Sequence, residues 1–464
     1  MISDGILMDF AGLSRSLGAC HFSNAARGGF SSVSIDSRTV QEGALFVALA
    51  GTSSDGHCFV EAAFRSGAAA ALVDSSKIEN FNLINVAKNM GKDLIAVDNT
   101  LRALQDTARI YMEQFPALIK IGITGSSGKT TTKEIAAAII GAEKNTVMNP
   151  GNYNSETGLP LAVFGVRPCH EAGVFELGMN RKGEISELAG VLKPNIALIT
   201  NIGSAHIGNI GSIRSIAEEK KNIFSNFSGN EIALIPEHDE FRDFLAEAVA
   251  GKVRFYGEGS FEELGEIKSL GLEGSEIVWA GEKIHFALPG KHNLANALAA
   301  LAIAREIKVS PNAVKQGLES VRPLFGRGEI LRGRTTVIRD CYNANPESLE
   351  QVLEFCDSLD WQSRRIYVIG ELLEQGDNAC AAHEQAGRLL AASRADKIFL
   401  YGSETETAAA VLEAGPKPFF HTNDIHELSR VLDEYIQGGD MVLLKGSRGC
   451  ALEQLSDMLT GEGR

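Results

Sequence analysis

Residues 122–131 read Gly-Ile-Thr-Gly-Ser-Ser-Gly-Lys-Thr-Thr, between the apolar run Ile119 to Ile123 and a segment of helical spacing that continues to Ile140. A strand feeding a helix through a glycine-rich turn is the opening of a βα unit, and such a unit forces a parallel sheet with crossover helices. Glycines let the backbone approach phosphate oxygens, and the helix N-terminus offers free N–H groups. Lys129 can reach the terminal phosphates of a nucleotide, and Thr130 can ligate Mg²⁺. The segment departs from the common spacing GxxxxGK[ST] at one place, since the first glycine would fall at Ile123.

The chain around this unit is long enough for several cores. At 464 residues, with about 150 residues per domain as a guide, we expect three domains. Residues 1–98 are rich in Gly, Ser and Ala, with short strand-like runs at Ala44 to Ala50 and Ala68 to Val73. Residues 99–322 open on a helical repeat of Leu101, Leu104, Ala108 and Met112, stopped by Pro116. Strands are expected at Val174 to Leu177, Ile196 to Thr200 and Ile232 to Ile235, with a hairpin over Ile277 to Leu288 turning at Gly281 and a closing helix Leu294 to Ile307. Pro323, Gly326 and Gly328 then break the pattern and mark a linker. Residues 323–464 alternate strands, at Val337 to Arg339, Ile366 to Ile369, Lys397 to Tyr401 and Met441 to Leu444, with helices near 346–356, 383–392, 405–414, 425–436 and 451–459. The fold class is therefore α/β: a central P-loop ATPase-like parallel sheet and a C-terminal Rossmann-like, doubly wound sheet.

Composition closes off other classes. A formal net charge of −15 argues against a broad nucleic-acid surface, which needs clustered Lys and Arg. No apolar run approaches the roughly 20 residues of a membrane span, and the N-terminal stretch carries Asp4 where a signal peptide is positive. A cytoplasmic protein is the expectation. Seven singly placed cysteines give neither a disulfide framework nor a zinc spacing.

A phosphate turn alone fits a switch, a motor or a kinase. Downstream residues narrow the field. Glu176 ends an apolar strand, where its carboxylate reaches the ligand edge of the sheet and suits Mg²⁺, or is plain surface. His206 follows the next strand by a short loop, and a lone His is as readily structural. In the helix from Ser212, Ile213, Ile216, Ala217, Ile223 and Phe224 form a stripe that includes Lys220 and leaves Lys221 off it. An inward ammonium is costly, so neutralisation, a carboxylate partner, covalent modification or snorkelling must resolve it.

Taken together, these residues resemble the Mur ligase family of peptidoglycan synthesis over nearly the whole chain. Ser34-Ile35-Asp36-Ser37-Arg38 and Asp55-Gly56-His57 look like its UDP-sugar-binding segment. The turn Gly125, Ser126, Ser127, Gly128, Lys129, Thr130 and Thr131, then Gly151-Asn152-Tyr153-Asn154, Glu176-Leu177-Gly178-Met179-Asn180, Ala205-His206 and Lys291-His292-Asn293-Leu294-Ala295-Asn296 follow the family order. Asp340-Cys341-Tyr342-Asn343-Ala344-Asn345-Pro346 and Lys445-Gly446-Ser447-Arg448 complete it.

The resemblance implies an ATP- and Mg²⁺-dependent amide-bond ligase working through an acyl phosphate. Its substrates would be UDP-N-acetylmuramoyl-tripeptide and D-alanyl-D-alanine, and a monomer is the expected state. It also implies roles for single residues. Lys129 and Thr130 would hold ATP and Mg²⁺, Glu176 and His206 a second Mg²⁺, and Lys220 would be carbamylated. Asn293 would approach adenine, Arg327 and Asp340 the γ-phosphate region and ribose. Ser37, Arg38, Asp55, His57, Asn152, Asn154 and Asn343 would contact substrates. Sister ligases that add one amino acid, folylpolyglutamate synthase and a non-ligating nucleotide switch are the rival readings.

Overall fold

The computed structural model describes residues 5–24, 28–51 and 54–461, so Asp4 lies outside the described residues. Three sheets carry the architecture. The first has five strands, β1 (Cys20–Phe22), β2 (Ser32–Ser34), β3 (Ala44–Val47), β4 (Ala70–Asp74) and β5 (Asp93–Val97), in the order β1-β5-β4-β3-β2. All pairings are parallel except that of β1 with β5.

Helix α1 (Thr100–Met112) leads into the second sheet, with Asn99 accepting from the Arg102 N–H at its start. That sheet is wholly parallel, with β6 (Ile119–Thr124), β7 (Thr146–Met148), β8 (Ala172–Glu176), β9 (Ile196–Ile199), β10 (Ile232–Pro236) and β11 (Lys252–Tyr256) in the order β11-β10-β9-β6-β8-β7. Strand order reverses at β6, which puts the turn after it at a switch point, where open α/β sheets bind ligands. Registers Glu176↔Ile123 and Ile199↔Thr124 bring the ends of three strands to one level. The helices used below are α2 (Lys129–Gly141), α3 (Glu184–Leu192), α4 (Ile213–Lys221) and α5 (Lys291–Glu306).

The hairpin expected to turn at Gly281 forms as β13 (Ser275–Trp279) and β14 (Glu282–Phe286). A third strand that the spacing does not announce, β12 (Leu264–Ser269), pairs with β13. Four of its six residues are exposed, and its apolar residues Leu264 and Ile267 stand three apart, which removes the alternating apolar signal.

After the linker, β15 (Glu329–Arg332), β16 (Thr336–Asp340), β17 (Arg365–Gly370), β18 (Lys397–Tyr401), β19 (Phe419–Thr422) and β20 (Met441–Lys445) run in the order β15-β16-β20-β17-β18-β19. Only β15 is antiparallel, so this sheet is mixed at one edge and parallel elsewhere. Two separate apolar clusters cover its faces, as double winding requires. The helix expected near 451–459 is instead two short 3₁₀ turns followed by Ser456–Thr460.

The domains are joined unequally. One apolar cluster runs without a break from Phe10, Leu45 and Leu72 through Leu104 and Tyr111 of α1 to Phe175 and Leu188 beneath the central sheet. The C-terminal clusters contain no buried residue of the central sheet.

Candidate active site

The turn after β6 is shaped by its neighbour strand. Gly125 has φ +154°, and a Cβ there would fall 1.8 Å from the Thr200 hydroxyl. That hydroxyl donates to the Ser127 carbonyl at 2.6 Å, while Asn201 accepts from the Ser127 N–H at 3.0 Å and donates to its hydroxyl at 2.9 Å. Ser126 exchanges hydrogen bonds with Gly203, at 3.0 and 2.8 Å. The loop after β9 therefore scaffolds the phosphate turn. Thr200 and Asn201 were legible only as a strand end and a loop, and carried no chemical signal of their own.

Lys129 begins α2, with its ammonium on the carbonyls of Gly125 (2.9 Å) and Ser126 (3.4 Å). Thr130 donates to Glu176 Oε2 at 2.8 Å, and Asn154 donates to Oε1 at 2.6 Å, so both oxygens of this buried carboxylate face polar groups in the cleft. Behind them lies a residue that sequence reading missed. The Asn149 side chain accepts from the Glu176 N–H (2.9 Å) and donates to its carbonyl (3.1 Å), taking the place of a neighbouring strand where β7 has ended. Lys133, fully buried, donates to the Asn149 carbonyl at 2.8 Å and pairs with Glu134 at 3.2 Å.

Lys220 is inward, as its stripe predicts, at 1% exposure. Ile213 of the same stripe is 40% exposed, because the helix starts beyond the packed surface. Lys221 points away, donating to the Phe244 carbonyl at 2.7 Å and lying over the Phe244 ring. The Lys220 ammonium donates to the Gly125 carbonyl at 2.8 Å, the same oxygen that Lys129 uses. Burial first, and then the Lys129 charge, push the Lys220 amine well below the usual lysine range. Burial likewise lowers Lys129, with Glu176 opposing the shift. Neighbouring Glu219 is buried too and accepts N–H bonds from Gly183 and Ile185, at the start of α3 (2.8 and 2.9 Å), which fixes the orientation of α4.

Across the cleft stand residues from the linker and beyond it. Arg327 stacks on the Tyr342 ring at 4.1 Å. Asp340 accepts from Lys445 at 2.8 Å, and Lys445, itself buried, also donates to the Asn343 carbonyl at 2.8 Å. Asn293 donates to the Pro289 carbonyl at 2.8 Å on the first turn of α5. A single cavity of about 960 Å³ is lined by Ser126 to Thr131, Asn152, Asn154, Glu176, His206, Asn293, Arg327, Asp340 and Asn343. Its size is at the upper end of the range for small-molecule sites.

Gly125 and Lys220 lie behind this lining rather than in it, and the four N-terminal candidates are elsewhere. Arg38 is exposed and forms an ion pair with Asp36 at 2.7 Å, next to Ser37. His57 is held within its own domain. It is buried, its Nε2 accepts from the Asp74 N–H at 2.9 Å, and its proton is therefore on Nδ1, which donates to Asp55 at 2.6 Å. Both ring nitrogens and one carboxylate oxygen of Asp55 are spent on tying the turn to β4, and the other oxygen meets Lys77 at 3.1 Å.

The donor set suits a hard cation. Thr130 and Glu176 bring oxygens together at the sheet edge with His206 in the same cavity. Among the described residues no three His, Cys, Asp or Glu side chains form a ready cage. Mg²⁺ is commonly held by one or two protein groups plus substrate phosphates, so the residues fit that ion.

Comparison with known proteins gives a consistent result along the chain. The Mur ligase family catalytic domain matches residues 30–112, the Mur ligase middle domain 123–304 and the Mur ligase glutamate ligase domain 326–448. The UDP-N-acetylmuramoyl-tripeptide--D-alanyl-D-alanine ligase of Treponema pallidum is 43% identical over 94% of this chain and 96% of its own length. Its Bacillus subtilis counterpart is 34% identical over 91% and 92%. A crystal structure of MurF from Acinetobacter baumannii superposes with a TM-score of 0.87 at 28% identity, covering 97% of this chain and 98% of that one. MurF ligase from Thermotoga maritima in complex with ADP gives a TM-score of 0.78 at 26% identity, covering 93% and 97%.

Proposed function

The chain belongs to the Mur ligase family, and we infer that it is the ATP-dependent ligase joining D-alanyl-D-alanine to UDP-N-acetylmuramoyl-tripeptide in peptidoglycan synthesis. The observation that carries this reading is the shared cavity, in which the phosphate turn and Glu176 of one domain face Arg327, Asp340 and Asn343 of another. ATP binds at the turn, with Asn293 at the base and Asp340 at the ribose. On this reading residues 1–98 hold the UDP-sugar, through Ser37 and Arg38, residues 99–322 hold ATP, and residues 323–464 close the cleft and receive the dipeptide. Asn152 at the rim and Asn154 within flank the tripeptide carboxylate.

That carboxylate attacks the γ-phosphorus of ATP, the bond to the β-phosphate oxygen breaks, and ADP leaves. The dipeptide amine then attacks the acyl carbon, the carbon–oxygen bond to phosphate breaks, inorganic phosphate departs and the nitrogen gives up a proton to phosphate or solvent. Lys129 and Arg327 stabilise negative charge on the transferring group, and α2 presents its N–H groups to it. Thr130 would hold one Mg²⁺ and Glu176 with His206 a second, and these ions would supply further neutralisation when bound. Burial and the Lys129 charge favour the neutral amine of Lys220, which is the form that attacks CO₂. The carbamate formed with loss of a proton puts an anion beside the Lys129 ammonium, where two lysine nitrogens had shared one carbonyl. No protein nucleophile takes part. No described helix is long and apolar enough to cross a membrane, and a cytoplasmic monomer fits the reaction.

Phosphate release from ATP and UDP-N-acetylmuramoyl-tripeptide tests the assignment. We expect it with D-alanyl-D-alanine, and release only with a single amino acid would transfer the protein to a sister activity.

A further inference from the structure

Residues 203–208, between β9 and α4, are met at three points by the domain beyond the linker. The Ser204 N–H and hydroxyl donate to the two carboxylate oxygens of Glu347, at 3.0 and 2.8 Å. The Gly208 N–H donates to the Glu374 carbonyl at 3.3 Å, and the backbones are so close that a Cβ on Gly208 would stand 2.5 Å from the Gly376 nitrogen. Third, His206 Nδ1 lies 2.8 Å from Glu374 Oε2. The ring N–H is not aligned for a hydrogen bond, so the contact is close but loosely directed, as is common in sites whose ligands complete them.

His206 and Glu374 share a further property. Both are non-glycine residues in the left-handed region, at φ +64° and +65°. Such conformations persist where the surroundings over-determine them, and they gather at functional sites. Here the two lie against each other across a domain boundary that, among the described residues, shares no buried core residue, the central domain bringing only the partly buried Leu272 to the C-terminal cluster.

We propose that Glu374 is a positioning residue for His206, fixing the proton on Nδ1 and leaving Nε2 as the ligating atom only when the C-terminal domain is seated on residues 203–208. A carboxylate behind a ligating imidazole sets its tautomer and raises its basicity. Supplying that carboxylate from a second domain makes cation affinity depend on domain seating. Ser204 with Glu347 and Gly208 with Gly376 set the approach. The inference rests on the reading of His206 as a cation ligand.

The test measures Mn²⁺ binding to the full chain by electron paramagnetic resonance in the presence of the non-hydrolysable analogue AMP-PNP. His206→Ala is expected to weaken one site by tenfold or more, and an unchanged affinity would remove His206 from the cation site and the inference with it. Glu374→Gln keeps the shape of the side chain and is expected to weaken the same site by about tenfold, the scale of losing the carboxylate behind a ligating imidazole. Wild-type affinity in Glu374→Gln beside a weakened His206→Ala would overturn the inference alone. Gly208→Ala leaves both side chains in place and adds a methyl at the domain contact. We expect weaker Mn²⁺ binding together with a larger radius of gyration in the AMP-PNP complex, and wild-type values of both would defeat the dependence on seating. Melting curves of each variant establish that it is folded.

Discussion

Lys220 concentrates the chemistry that one side chain can carry. It is buried, it shares a carbonyl with Lys129, and its neutral form is favoured by both facts. Supplied with ¹³C-bicarbonate, the wild-type protein should show a carbamate carbon resonance that Lys220→Arg lacks. Activity in that variant should fall by about a hundredfold or more, the scale of losing a preorganised charge. A resonance unchanged in Lys220→Arg would sink the assignment. Asp36 offers a pH-dependent counterpart at the surface. Its hydrogen bond to the Arg38 guanidinium lowers the carboxyl from 3.8 to about 2. A folded value below the unfolded one means that the contribution to stability is present above pH 4 and is lost as pH falls through 2. Titration of the Asp36 carboxyl carbon by NMR should give a midpoint near 2, and one near 4 would remove the Arg38 interaction.

Between residue and domain, the decisive element is the segment from β7 to the helix that starts at Gly158. Its Asn149 side chain stands in for a strand beside Glu176, and Lys133 of α2 anchors it from below. Lys133→Met keeps the bulk but leaves the Asn149 carbonyl without its donor in a dry environment. The cost is expected at about 1–3 kcal/mol, the price of a buried unsatisfied acceptor. Urea unfolding measures it. A change within experimental error would mean that the ammonium has no structural part, since a fully buried lysine with carbonyl partners has no solvent to fall back on.

For the whole molecule, the contrast lies in how the domains are held. The first two share one apolar cluster through α1, whereas the third is attached by the 321–328 linker, by the partly buried Leu272 and by polar contacts such as Ser204 with Glu347. Polar interfaces of this kind permit relative motion, and a continuous apolar core does not. Fluorescence energy transfer should therefore change on addition of AMP-PNP and Mg²⁺ for a donor–acceptor pair spanning the central and C-terminal domains. It should stay constant for a pair spanning the N-terminal and central domains. The reverse pattern would show that the apolar cluster is the moving joint. Loss of the Arg327 side chain, which reaches the cleft from the linker, should diminish the change.

Local sequence determined the βα unit, because glycine, lysine and helical spacing act within a dozen residues. It also determined the inward face of Lys220, since a helix repeats every 3.6 residues and Lys221 cannot share that face. The hairpin at Gly281 and the alternation after 328 were legible for the same reason. Tertiary structure alone decided the rest. The polar strand Leu264–Ser269 and the antiparallel edge Glu329–Arg332 exist because partners pair with them. His57 ties its turn to β4 because the Asp74 N–H arrives from another strand. Thr200, Asn149, Lys133 and Glu374 gained their roles from contacts 16 to 168 positions away in the chain (Lys133 to Asn149, His206 to Glu374). A polar side chain has no address until the fold supplies its partner, whereas periodicity and turn chemistry are written in neighbours.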